Sequence, residues 1–119
     1  MSIGTAHRYE DAACAYLESR DLRCIARKVR YRSGETDLLI CDEDEMLIFV
    51  DVRARRGRAG LRFGGAVGSI DHLKQARLLL AARTFLLRYR NSPPRCRFDV
   101  VAFEDGGIEW LRNAFDASL

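Results

Sequence analysis

Hydrophobic and polar positions follow two periods along this chain, and the switches between them mark the elements. Tyr9, Ala12, Ala13, Tyr16 and Leu17 recur at helical spacing and predict an amphipathic helix over residues 6–19. Basic residues take alternate positions from Leu22 to Arg32, the pattern of a strand, and Gly34 ends it. Residues 35–41 (ETDLLIC) and 46–53 (MLIFVDVR) read as apolar strands, joined by the acidic hairpin turn Asp42-Glu43-Asp44-Glu45. A second helix is expected over about 70–90, stopped by Pro93-Pro94. Residues 97–103 (RFDVVAF) read as a strand, Asp105-Gly106-Gly107 as a turn and residues 108–112 as a short last strand. The order α-β-β-β-α-β-β predicts an α/β fold with a mixed central sheet flanked by helices. No repeat or linker divides the chain, so residues 1–119 read as one domain.

Two stretches depart from this regular picture. Residues 54–69 are rich in Gly and Arg, a long connection of the kind that is functional or mobile. The second helix is apolar in almost every direction, from Leu78 to Tyr89. Such a helix is expected to be covered on more than one face, by the sheet or by a partner chain, which suggests a homodimer.

A chain of 119 residues can bury roughly two-thirds of its unfolded surface, so it needs no disulfide or structural metal to fold. Its 48% hydrophobic and 31% charged residues exclude a disordered chain. Cys14, Cys24, Cys41 and Cys96 lack zinc-site spacing and read as reduced thiols. No secretory h-region follows Met1 and no apolar run is long enough to span a membrane, so a cytoplasmic protein is expected. Of the 20 basic residues only Lys28 and Lys74 are lysine. Arginine's planar fork suits phosphate, although a GC-rich genome would give the same bias.

Candidate chemistry lies in the central hairpin. If it is symmetric about Asp44, Asp37 faces Asp51 and Glu35 faces Arg53, all with side chains on one face. Like charges directly opposite are destabilising. A divalent cation held by two hard carboxylates, Mg²⁺ or Mn²⁺, would explain the pair. A buried network of the aspartates with Arg53 and another arginine would also explain it. Glu10 falls at the rim of the first helix's apolar stripe and can reach over a sheet edge, as a ligand or as a solvated charge; Asp11 points further into solvent. Asp99 reads as the structural partner of an arginine, and His7 and His72 as surface residues. Arg53, Arg55, Arg56, Arg58 and Arg62 form the densest basic run, placed to hold a phosphate backbone or simply solvated.

Gly34-Glu35-Thr36-Asp37-Leu38-Leu39, Phe49-Val50-Asp51-Val52-Arg53, Arg97-Phe98-Asp99-Val100-Val101 and Trp110-Leu111-Arg112-Asn113-Ala114-Phe115 together resemble the motifs of the YraN-like family, UPF0102. That bacterial family is similar to archaeal Holliday-junction resolvases and is placed in the PD-(D/E)xK nuclease superfamily. The resemblance runs from about Gly4 to Phe115. It implies a restriction-endonuclease-like core and Mg²⁺-dependent hydrolysis of a phosphodiester, with DNA favoured over RNA. Asp37 and Asp51 would be metal ligands, and Glu10 an accessory ligand or base. Lys74 matches a lysine of the family's second helix, and Arg55, Arg56, Arg58 and Arg62 would contact nucleic acid. Two positions depart from the pattern: Asp51 replaces the usual glutamate, and Arg53 the usual lysine. Arginine can stabilise charge but cannot release a proton near neutral pH. The alternative implied is a nucleic-acid-binding protein of the same fold with impaired catalysis.

Overall fold

The computed structural model describes residues 2–55 and 71–116, and the side chains of 8–54 and 71–116. The elements follow the expected order: α1 (Ser2–Glu18), β1 (Arg23–Arg30), β2 (Glu35–Cys41), β3 (Leu47–Arg55), α2 (His72–Leu86), β4 (Cys96–Glu104) and β5 (Gly107–Leu111). The strands form one mixed sheet in sequence order. All neighbours are antiparallel except β3 and β4, which are parallel and joined through α2. A parallel pair needs such a crossover, because a tight turn can join only antiparallel strands.

The two helices cover opposite faces of the sheet, and strand parity assigns each side chain to one of them. Leu38, Ile40, Ile48 and Val50 pack with Ala13, Cys14 and Leu17 of α1. Leu39, Cys41, Leu47 and Phe49 pack with Leu78, Ala82 and Phe85 of α2. Strands buried on both faces read as continuous apolar runs, which is why 38–41 and 47–50 show no alternation.

The hairpin register matches the symmetry about Asp44: Leu38 pairs with Val50, Leu39 with Phe49, Ile40 with Ile48 and Cys41 with Leu47. Asp42 fixes the turn, its carboxylate accepting the amides of Asp44 and Met46, both at 2.9 Å. Glu45 takes the left-handed conformation at φ 64°.

Three expectations change. Ala54 and Arg55 belong to β3 rather than to a loop, because parallel pairing with Phe103 and Glu104 carries the strand that far. The rest of the predicted connection, 56–69, lies outside the described residues. The second helix is also shorter than expected, and it packs by one stripe, Leu78, Ala81, Ala82 and Phe85. Leu73 on the same helix is 71% exposed, so the sheet does not cover it all round. Finally, Glu35 does not pair with Arg53: it faces Arg30 on β1 and forms ion pairs with Arg30 and Arg77, at 3.3 and 3.6 Å.

One glycine sets the seat of α2. A Cβ at Gly34 would lie 2.0 Å from the carbonyl oxygen of Arg77, so the helix backbone rests directly on the β1–β2 turn. Only glycine allows this approach.

Candidate metal centre

Asp37 and Asp51 come next on β2 and β3 after the last ladder pair, Leu38 with Val50. There the Asp37 carboxylate takes a place in the sheet's hydrogen bonding, its Oδ2 accepting the Val52 amide at 2.7 Å. Asp51 is 1% exposed. Its Oδ1 lies 3.5 Å from Lys74 Nζ and its Oδ2 3.6 Å from Arg53 Nη1. Lys74 reaches the site because α2 begins beside it. Asp71 caps the helix, accepting the Lys74 amide at 2.9 Å, and so places Lys74 in the first turn.

Glu10 arrives from the other side of the sheet, on α1. It is 6% exposed, and Oε2 accepts from Lys28 Nζ at 3.1 Å. Asp11, one position on, is exposed and pairs with Arg27. Glu10, Asp37, Lys28, Arg30, Glu35 and Lys74 line a common cleft of about 380 Å³. A second cleft of about 460 Å³, lined by Arg53 and Asp71, shares Lys74, Val52 and Ala54 with it. The larger cleft beside Phe103 and the β4–β5 turn, about 500 Å³, is lined by neither Asp37 nor Asp51. Its size carries less weight than the gathering of charge in the others.

Burial pushes the Asp37 carboxyl up to about 6, with the neighbouring Asp51 and Glu10 charges adding to the rise and the Val52 amide and Lys74 opposing it. Asp51 is also raised, first by burial, against the pull of Lys74 and Arg53. Confined carboxylates that repel each other in this way mark functional sites, although ion-pair networks produce the same signature.

Whether the donors fit a metal turns on two atoms. Among the described residues, Glu10 Oε1 and Asp51 Oδ2 are buried side-chain oxygens with no hydrogen-bond partner. Leaving such oxygens unpaired is costly, and a cation or its bound water would satisfy them. No three His, Cys, Asp or Glu side chains among the described residues converge closely enough to hold a metal jointly. Mg²⁺ does not demand such a cage: it keeps several waters and binds through one or two carboxylates. The donor set therefore fits a hydrated divalent ion on Asp37 and Asp51.

Asp99 serves another purpose. Fully buried, it accepts from Arg97 Nε and Nη2, Trp110 Nε1 and the Asn113 amide, at 2.9–3.2 Å. Its bonds tie β4 to β5 and the following turn, the structural role expected of it. His72 is exposed. The side chains of His7, Arg55, Arg56, Arg58 and Arg62 lie outside the described residues. Lys28 escaped the sequence reading as a site residue, because nothing in its strand pattern distinguishes it from the surrounding arginines. No helix among the described residues is long and apolar enough to cross a membrane.

Residues 9–103 match the model of "Uncharacterised protein family UPF0102". A UPF0102 protein of Ralstonia pickettii is 44% identical over 115 residues, covering 97% of this chain and 92% of its own. The UPF0102 protein RSc3265 of Ralstonia nicotianae is 47% identical over 114 residues, covering 96% and 88%. A UPF0102 protein of Cupriavidus metallidurans is 49% identical over 107 residues, covering 90% and 77%. Among solved structures, Pyrococcus furiosus SfsA in complex with Ca²⁺ aligns at a TM-score of 0.27 and 17% identity, over 84% of this chain and 58% of that one. A likeness that slight carries no argument. The family match and the relatives do: this chain belongs to the UPF0102 family.

Proposed function

We propose that this chain is a divalent-metal-dependent endonuclease of the PD-(D/E)xK type, with a restriction-endonuclease-like core akin to that of archaeal Holliday-junction resolvases. The observation that carries the reading is the pair of confined carboxylates, Asp37 and Asp51, with Asp51 Oδ2 and the nearby Glu10 Oε1 buried and without a hydrogen-bond partner among the described residues. Mg²⁺ or Mn²⁺ bound there would lower the pKa of its water and neutralise the scissile phosphate. The chain's own groups do the rest. The Val52 amide fixes the Asp37 carboxylate. Lys74 and Arg53 bracket Asp51 and would offer positive charge to offset the negative charge that develops on a phosphate held at the site. Arg53 can only stabilise that charge, whereas Lys74 brings an ammonium. Arg55, Arg56, Arg58 and Arg62, which follow β3's catalytic positions in sequence, would grip the nucleic-acid backbone. DNA is the favoured substrate, in the cytoplasm. A homodimer is supported by the seven-residue spacing of the exposed Leu73, Leu80 and Leu87.

A second reading rests on one specific observation. Asp51 is paired with two cations of the chain, Arg53 and Lys74, an arrangement that a binding protein with lost chemistry could also use. The deciding assay incubates wild type and Asp51→Asn with branched DNA, linear DNA and RNA in Mn²⁺. Cleavage by wild type and none by Asp51→Asn supports the nuclease. Binding without cleavage by both supports the second reading.

A further inference from the structure

Only two of the 20 basic residues are lysines, and both line the carboxylate cleft. Lys74 enters from α2. Lys28 enters from β1 and donates to Glu10 Oε2 at 3.1 Å. The Glu10 side chain is 7% exposed, and its other oxygen, Oε1, is buried with no hydrogen-bond partner among the described residues. One limb of this carboxylate is therefore held and the other is free for a ligand.

The backbone at Lys28 is unusual for a strand. Its φ of 50° is left-handed, inside a strand, just beyond the irregularity between Cys24 and Ala26. A residue with a Cβ is disfavoured there, and such conformations persist where the surroundings impose them, typically at functional sites. A left-handed residue also breaks the two-residue alternation of the strand, which frees its side chain to point where the regular pattern would not send it.

We propose that Lys28 is the positioning residue of the metal site, holding Glu10 by Oε2 so that Oε1 remains available to the divalent ion or its water. The inference rests on the metal reading given above. It has a sign that a simple counter-charge does not share. A cation near the site repels a metal ion, so its removal would tighten binding. An outer partner that orients a ligating carboxylate strengthens binding, and its loss typically weakens affinity 10–100-fold, by about one to two orders of magnitude.

The test is calorimetric titration of the full chain with Mn²⁺ and no substrate. Lys28→Met should weaken Mn²⁺ binding by about 10–100-fold, and Lys28→Arg, which keeps a cation on Glu10, should recover most of the loss. In a Glu10→Gln background Lys28→Met should cause no further loss of affinity, since its orienting effect acts through Glu10. That double variant leaves no buried charge unpaired, so it remains informative if Lys28→Met alone does not fold. Unchanged or tighter binding by Lys28→Met overturns the assignment, and so does a further loss in the Glu10→Gln background. If wild type binds Mn²⁺, Asp51→Asn does not, and Lys28→Met matches wild type, the role of Lys28 alone is wrong. Failure of wild type to bind Mn²⁺ overturns the metal reading as well.

Discussion

Lys74 Nζ lies 3.5 Å from Asp51 Oδ1, which ties the first turn of α2 to the centre of the carboxylate site. Asp51 is raised by burial and held down by Lys74 and Arg53. Lys74→Met should therefore push Asp51 higher and shift the onset of Mn²⁺ binding to higher pH. Cleavage should fall by about 10²–10³-fold, the usual effect of losing one donor to a transition state. Affinity profiles against pH that coincide for the two proteins would contradict this role.

Arg53→Lys should restore or raise cleavage, because an ammonium can both stabilise charge and release a proton, whereas the guanidinium only stabilises charge. Arg53→Ala should reduce it by about 2–4 kcal/mol in barrier height. Single-turnover rates with Mn²⁺ measure both.

Asp37 gives a pH prediction with a definite sign. Its folded value of about 6 lies above its ordinary 3.8, so its contribution to stability is present below 3.8 and is lost as pH rises through 6. Without metal, Asp37→Asn should melt above wild type at pH 8, and the two should converge below pH 4. Mn²⁺ should reverse the order at pH 8. A ligand at one hundred times its Kd stabilises the native state by about 2.7 kcal/mol, on the order of 10 °C for a chain of this size, and only wild type should gain it. Thermal melts at pH 4, 6 and 8 with and without Mn²⁺ check each part.

Asp99→Ala would strand Arg97, the Trp110 indole and the Asn113 amide in or near the core. It should cost about 3 kcal/mol or more, near the low end for breaking a buried pair because Arg97 keeps some solvent. Urea unfolding at neutral pH measures it, and a loss under 1 kcal/mol would deny Asp99 its structural role.

Much of this was legible in the sequence because period and symmetry carry it. An acidic four-residue turn between two apolar runs fixes the hairpin register, and parity then puts Asp51 on the face of α2. Glu10 and Asp11 separate by helical phase alone, one buried and the other exposed. Other features depend on tertiary geometry that periodicity does not encode. The left-handed turn of Lys28 inside β1 has no marker in its residue type. The ion pairs of Glu35 with Arg30 and Arg77 replace the cross-strand partner that simple symmetry suggests. The apolar wheel of α2 gave no indication of which leucines the sheet would leave uncovered, because a helix's composition does not say how many faces its neighbours reach.

The central claim is that Asp37 and Asp51 together hold a divalent cation. A crystal soaked in Mn²⁺ and measured near the manganese absorption edge tests it directly. The account predicts an anomalous peak between the two carboxylates, with Asp37 and Asp51 oxygens as its protein ligands and water completing the shell. A map with no anomalous peak there at saturating Mn²⁺, with Lys74 and Arg53 still seated on Asp51, would contradict it.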